Sequence, residues 1–246
     1  MITYTGLNQF HQCPRAFAWA QFGWRKAGWN EPMETGSMVH AALRAHLTGH
    51  RLLTGGDWKA AIESYPKANS PSGLVSKKRA SDLAGHYISK YIDYTPLKCE
   101  LEVYDKSVDV GGHIDMVAMY KGQLSLFDFK TTRVADPRKY DISGQLDFYA
   151  YLYERVYGKP IQLVVYDTIS EGGTFRHERL PNLEMGEAIY NQAANLAVYI
   201  KHVDPLDDPH YGYLCMRCDY LEPCWLATFD SLDSAERALH NDYEIK

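Results

Sequence analysis

Asp115, Asp128 and Lys130 are the residues whose types and spacing could do chemistry together. They fall in 111–133, GGHIDMVAMYKGQLSLFDFKTTR, where two alternating apolar runs flank the turn signal Tyr120-Lys121-Gly122. That pattern predicts a β-hairpin with a polar tip. Asp115 lies on its first strand, with Asp128 and Lys130 on the second, separated by a single residue. Side chains alternate along a strand, so Asp128 and Lys130 share a face and Asp115 can approach them across the hairpin. Clustered carboxylates repel one another unless a cation offsets them. The patch therefore suits a hard divalent metal, with a lysine beside it to hold or deprotonate a water. The competing reading is a solvated ion pair between Asp128 and Lys130.

Other elements must bring partners to this patch. The segment 33–50 has helical spacing, and Met38, Val39, Ala42 and Leu43 form an apolar stripe that His40 adjoins. A lone histidine in such a place is ordinarily structural or exposed. The strand-like CELEVYDKSVDV, 99–110, leads into the hairpin, and its Glu100 or Glu102 could add an outer acid. Alternation puts both on the same side and does not separate them. After the hairpin, 135–158 reads as a loop and then a helix, on which Gln145 and Tyr149 are neighbours four residues apart. Such a pair can hydrogen-bond a phosphate or orient a water, while a stripe of Tyr149 and Tyr153 would serve equally as core. A strand over 161–169 and an amphipathic helix over 184–202 complete an alternation of strands and helices. That order implies an α/β fold with a mixed central sheet flanked by helices.

GHID followed by DFKTT resembles the core of the PD-(D/E)XK nucleases. GSMVH, 36–40, resembles the GxxxH motif of the RecB-like exonucleases within that superfamily, and QLDFY, 145–149, resembles their QxxxY motif. All four occur in the family's order. The resemblance implies a restriction-endonuclease-like core and a metal-dependent DNA exonuclease. His40, Asp115, Asp128 and the backbone carbonyl near Phe129 would hold Mg²⁺ or Mn²⁺, and a neutral imidazole beside carboxylates makes manganese a credible partner. Lys130 would be the catalytic lysine, with Gln145 and Tyr149 close to the reaction.

Five cysteines is an odd count. Cys13 stands in FHQCPRAFAW, where Thr5 is a plausible cap of a first helix and Pro14 ends or restarts it. Cys215, Cys218 and Cys224 form C-x-x-C-x-x-x-x-x-C near the other end, and Cys99 is left over. One N-terminal cysteine with a C-terminal trio is similar to the iron–sulfur staple of AddB-type nucleases and CRISPR-associated RecB-like exonucleases. That similarity implies a [4Fe–4S] cluster on Cys13, Cys215, Cys218 and Cys224, joining the two ends of the chain. Structural zinc is the alternative, though zinc sites more often show two C-x-x-C pairs. Cys13 as a small buried hydrophobe is the plain reading.

The chain has 246 residues, 46% of them hydrophobic and 13% aromatic, with a formal net charge of −5. One nuclease domain over 1–246 is expected, with 1–30 and 205–246 jointly binding the cluster and 51–95 a helical insertion. The acidic balance argues against charge-driven binding to nucleic acid over the whole surface and leaves room for a local basic groove. Candidate contacts are Trp24, Arg25 and Lys26, between Phe22 and Trp29, and the triplet Lys77, Lys78 and Arg79, which reads first as the solvated start of a helix. The strand pattern after that helix begins beyond Pro96. The expected partner is DNA with a free end, served by a separate helicase, recombinase or integrase chain, since no P-loop is present. A homo-oligomer is compatible with this. No apolar run suits a membrane and no signal-peptide pattern opens the chain, so the expected location is cytoplasmic, in a bacterial or phage-infected cell. Two other classes fit less well: a nucleic-acid-binding partner with modest catalysis, and a structural zinc protein.

Overall fold

A computed structural model describes residues 1–26, 31–51, 57–65, 71–90, 93–133, 140, 142–202, 209–210 and 212–245. Its helices are α1 (Tyr4–Gln12), α2 (Pro14–Gln21), α3 (Glu31–Arg51), α4 (Trp58–Glu63), α5 (Pro71–Lys90), α6 (Gln145–Tyr157), α7 (Leu183–Tyr199), α8 (Leu221–Phe229) and α9 (Leu232–Asp242). The strands are β1 (Trp24–Lys26), β2 (Tyr94–Asp105), β3 (Val110–Tyr120), β4 (Gln123–Thr131), β5 (Leu163–Ser170), β6 (Gly173–Arg179) and β7 (Tyr243–Ile245). Two compact units result. One comprises Met1–Gly28, Lys106–Val110 and Asn191–Lys246; the other comprises Trp29–Asp105 and Gly111–Tyr190.

The second unit carries a five-stranded sheet in the order β2-β3-β4-β5-β6. β3 and β4 form the expected hairpin, antiparallel with Tyr120 opposite Gln123. Lys121 and Gly122 close it with φ of 50° and 76°, the left-handed pair that a two-residue type I′ turn requires. β4 and β5 run parallel and β5 and β6 antiparallel, so the sheet is mixed. A parallel pair needs a crossover, which α6 supplies. All eight residues of β5 are buried, as expected of a central strand covered on both faces. At one edge, β6 carries Arg176, His177, Glu178 and Arg179, charges and polar groups that discourage further pairing. α3 and α5 pack on the sheet through Met38, Val39, Leu43, Leu83 and Tyr87 against Phe127, Phe129 and Val165, all 4% exposed or less. The α/β class with a mixed sheet flanked by helices is therefore observed.

The terminal unit holds α1 and α2 with the C-terminal helices. Cys13 is extended (φ −163°, ψ 113°) and Pro14 opens α2, so the chain breaks where the proline predicts. Trp19, Ala20, Tyr220 and Leu239 form its core. β1 pairs antiparallel with β7, a contact between the chain ends that the sequence reading did not anticipate.

Several local expectations change. Thr3, not Thr5, caps α1, its Oγ1 accepting the Gly6 N–H at 3.0 Å. α5 begins at Pro71, so Lys77, Lys78 and Arg79 lie inside the helix and not at its start. Pro96 lies within β2, tolerated because β2 is an edge strand where a missing N–H costs no ladder bond. β6, α8 and α9 carry short or charge-rich patterns that were not read as elements. Trp29 and residues 134–139, where a loop was expected, lie outside the described residues.

Candidate active site

Three elements, α3, β2 and α6, converge on the hairpin. Beyond the Met116–Phe127 pair the β3–β4 ladder opens, and Asp115 Oδ2 accepts the Phe129 N–H at 2.7 Å. That bond fixes one carboxylate against the strand that carries the next. Asp128 is buried, with Lys130 Nζ 2.9 Å from each of its oxygens and Gln145 Nε2 donating to Oδ1 at 3.1 Å. Its Oδ2 is shielded from solvent yet receives no well-directed hydrogen bond. Burial, reinforced by the charge of Asp115, pushes the Asp128 carboxyl up to about 6 against the pull of Lys130. Burial works against charge on Lys130 as well, but Asp128 outweighs it and raises the lysine's pKa.

α3 delivers His40. Its Nε2 lies 2.7 Å from the Phe129 carbonyl oxygen and its Nδ1 3.6 Å from Asp115 Oδ1. The approach depends on Gly36, one turn earlier, where a Cβ would come within 2.9 Å of Thr131 Oγ1 on β4. Burial disfavours protonation of His40, yet the close approach of Asp115 and the charges of Asp115, Asp128 and Glu100 together raise its pKa.

Glu100, and not Glu102, joins the site. Glu100 has φ 49°, a left-handed residue inside β2. Buried positions are even-numbered before it (Tyr94, Pro96) and odd-numbered after it (Val103). The alternation that seemed to put both acids on one side is therefore interrupted between them, as at a bulge, and Glu102 is exposed. Ligand atoms of His40, Glu100 and Asp115 all lie within 4.8 Å of one another. Burial and the charge of Asp115 raise the Glu100 carboxyl. Carboxylate oxygens with one imidazole, beside a buried Asp128 oxygen without a directed partner, form a donor set that fits Mg²⁺ or Mn²⁺.

α6 places Gln145 and Tyr149 on the face toward Asp128. Tyr149 is buried, within hydrogen-bonding reach of Gln145 and the His113 backbone, and burial raises its pKa. Tyr153 is also buried. Asp147 between them holds Arg179 at 2.7 and 2.8 Å, anchoring the start of α6 to β6.

Within the sheet unit, the candidates Lys77, Lys78 and Arg79 do not gather here. Lys77 pairs with Glu63, and Arg79 reaches Glu31 at 2.6 Å and Glu171 at 2.9 Å. Lys78 is exposed beside Arg79 on a separate cavity. Trp24 packs edge-on to His240 with ring centroids 4.9 Å apart, and its carbonyl accepts the Tyr220 hydroxyl at 2.7 Å. The backbones of Arg25 and Lys26 pair with β7. Arg44, one turn beyond His40, lines the same cleft as His40, Glu100 and Lys130, and the sequence reading missed it. Its i+4 spacing from His40 was the available signal.

Cys13, Cys215, Cys218 and Cys224 line one cavity of about 250 Å³ in the terminal unit. The Gly212 N–H donates to Cys215 Sγ and the Tyr220 N–H to Cys218 Sγ, each at 3.4 Å. The guanidinium of buried Arg15 is 3.6 Å from Cys224 Sγ and donates to Thr228 Oγ1 at 2.8 Å. Burial and the neighbouring cysteines raise the Cys218 thiol. No three of these sulfurs lie within 4.8 Å of one another among the described residues, but sulfurs that receive N–H donors around one cavity suit thiolates whose charge a bound metal offsets. Cys99 belongs to the sheet unit, where it packs against the core.

A mixed sheet with an acid-lysine pair on one strand, a second acid on its hairpin partner and a histidine from a covering helix defines an α/β nuclease-like protein. The chain belongs to the PD-(D/E)XK nuclease superfamily, whose sequence profile matches residues 1–225. Membership supports nuclease activity. The chain is similar in structure to an exonuclease candidate from Eubacterium rectale (TM-score 0.54, 12% identity, covering 88% of this chain and 86% of that one). At that identity the likeness speaks for the fold. It also matches the solved structure of SSO0001 (TM-score 0.34, 12% identity, 74% and 80% covered), a likeness too low to carry an argument. No protein of curated function matches the sequence. Among the described residues no helix is long and apolar enough to cross a membrane.

Proposed function

We propose that the protein is a divalent-metal-dependent DNA exonuclease of the RecB-like type. The observation that carries this reading is the meeting of His40, Glu100 and Asp115 within 4.8 Å, beside a buried Asp128 held by Lys130. His40, Glu100, Asp115, Asp128 and the Phe129 carbonyl would hold Mg²⁺ or Mn²⁺, which would polarise the scissile phosphate and acidify a bound water. Lys130, kept as an ammonium by Asp128, is partly exposed and can donate to a phosphoryl oxygen as negative charge builds there. Gln145 orients Asp128, and Tyr149 backs that contact from within the core. Exonuclease action and DNA as the substrate rest on the RecB-like motifs GSMVH and QLDFY. A separate helicase, recombinase or integrase is the natural source of a DNA end.

The cysteine cavity supports a [4Fe–4S] cluster more than zinc, because its volume exceeds what a single ion between four thiolates needs. Its role is structural, fastening Cys13 to the C-terminal trio.

The test is digestion of end-labelled single- and double-stranded DNA with Mn²⁺ or Mg²⁺, or with EDTA, by anaerobically prepared wild type and Lys130→Ala. Short products released by wild type alone, and only with metal, are expected, with Lys130→Ala slower by at least about 100-fold. Metal-independent cleavage, or equal rates in the variant, would overturn the reading; binding without cleavage would favour a nucleic-acid-binding module.

A further inference from the structure

The cleft beside His40 is about 710 Å³, more than a metal and one phosphate require and within the range of sites that enclose a sizeable organic ligand. Its wall is one face of α3, on which Met33, Ser37, His40 and Arg44 recur at helical spacing, and Tyr65 closes the side formed by the segment after α4. Glu100, Asp115 and Asp128 make this region acidic, so an anionic substrate needs cations to enter it. Lys130 is held beside Asp128, where it serves the reacting phosphate and not its neighbour. Arg44 is exposed, and among the described residues its guanidinium makes no hydrogen bond or ion pair. The Tyr65 hydroxyl likewise has no hydrogen-bond partner among them, and its ring is only partly covered. Met33, 67% exposed, supplies an apolar surface beside the cations.

On the nuclease reading, on which this inference rests, we propose that Arg44 and Tyr65 form the binding track for the single strand that enters the centre. Arg44 pairs with the phosphate adjoining the scissile one, and Tyr65 stacks on an unpaired base. A guanidinium matches a phosphate in a bidentate fork. An aromatic face accepts any base once it is out of the duplex, so the track favours single strands without reading sequence. Arg44 and His40 lie one turn apart on the same helix, which fixes the spacing between the bound phosphate and the reacting one.

The test is fluorescence anisotropy of a labelled oligothymidylate and of a labelled blunt duplex against wild type, Arg44→Gln, Arg44→Lys, Tyr65→Ala and Tyr65→Phe, titrated with salt and without divalent metal. Melting curves identify any variant that is misfolded. Arg44→Gln is expected to weaken single-strand binding about tenfold and reduce the slope of log K against log salt by roughly 0.7, one phosphate contact, with Arg44→Lys restoring part of it. Tyr65→Ala is expected to lose about five- to tenfold for the single strand and less for the duplex, with Tyr65→Phe unchanged. In steady-state digestion Arg44→Gln should raise KM and leave kcat nearly intact. An unchanged affinity and salt slope in Arg44→Gln, or equal losses for both DNA forms in Tyr65→Ala, overturns the track while a cleaving wild type keeps the nuclease reading. A wild type that cleaves no DNA with metal overturns both.

Discussion

Asp128 occupies a position that costs folding free energy. Its carboxyl is displaced from an ordinary 3.8 to about 6, chiefly by burial, so the folded state holds its proton more tightly than the unfolded state does. In metal-free protein this group therefore destabilises the fold progressively as pH rises through that interval, and the whole penalty is present above it. Asp128→Asn removes the ionisation. It should abolish cleavage yet, in EDTA near pH 7, stabilise the protein by up to about 3 kcal/mol, with the advantage vanishing near pH 4. Denaturant unfolding of both proteins across that range checks it. A variant less stable than wild type at neutral pH would mean that the Lys130 and Gln145 contacts outweigh the burial penalty. At this scale the sequence was informative wherever the chemistry sits on one strand: Asp115, Asp128 and Lys130 follow from alternation alone. Arg15 was not legible, because its partners Cys224 and Thr228 come from the far end of the chain, and Arg44 shows only as a residue four beyond His40 on one helix face.

The elements reach the site through glycines that make room for a side chain from another element. At Gly112 on β3, a Cβ would fall 2.6 Å from Tyr149 Cε1 and 2.9 Å from its hydroxyl, so α6 can lie where it does only if that position has no side chain. Gly112→Ala should displace Tyr149 and, through it, the Gln145 contact with Asp128. We expect a loss of roughly 1–3 kcal/mol, a drop in melting temperature of about 3–10 °C, and a larger fractional loss of cleavage than of stability. Unchanged melting and cleavage rates would show that α6 can shift at no cost. The hairpin and the helix bearing His40 were legible because period and turn chemistry agree there. The phase change at Glu100 was not. A left-handed glutamate within a strand leaves no mark in an apolar pattern, and it alone separates Glu100 from Glu102. The start of α5 was hidden for a different reason: its first residues, Pro71, Ser72 and Gly73, read as a loop, although proline is well suited to the first turn of a helix.

At the scale of the molecule, the α/β class was legible because alternating helices and strands with a buried apolar β5 admit few other layered solutions. The pairing of β1 with β7 was not, since three-residue strands carry no usable period. The terminal unit draws residues from both ends of the chain, and one of its buried clusters, Ala16, Trp19, Ala20, Tyr220 and Leu239, has Cys13, Cys218 and Cys224 packed against it. On the cluster reading proposed above, this unit gains stability from the ligand its thiolates hold, since ligation that exists only in the folded state is folding free energy. On that reading Arg15, buried beside Cys224, is the cation that would offset the charge of the cluster. Two consequences can be read in one calorimetric experiment on anaerobic protein. If the proposed cluster is bound, Cys218→Ser should lose its visible absorption and iron content and lower the melting of the terminal unit by at least about 10 °C. Arg15→Met should retain iron but lose it faster to a chelator, with a more negative reduction potential, because the compensating charge is gone. The Mn²⁺-induced stabilisation of the sheet unit should persist in both variants. If Cys218→Ser kept its iron and its melting profile, the cysteines would not be ligands, and the cavity they line would be packing alone.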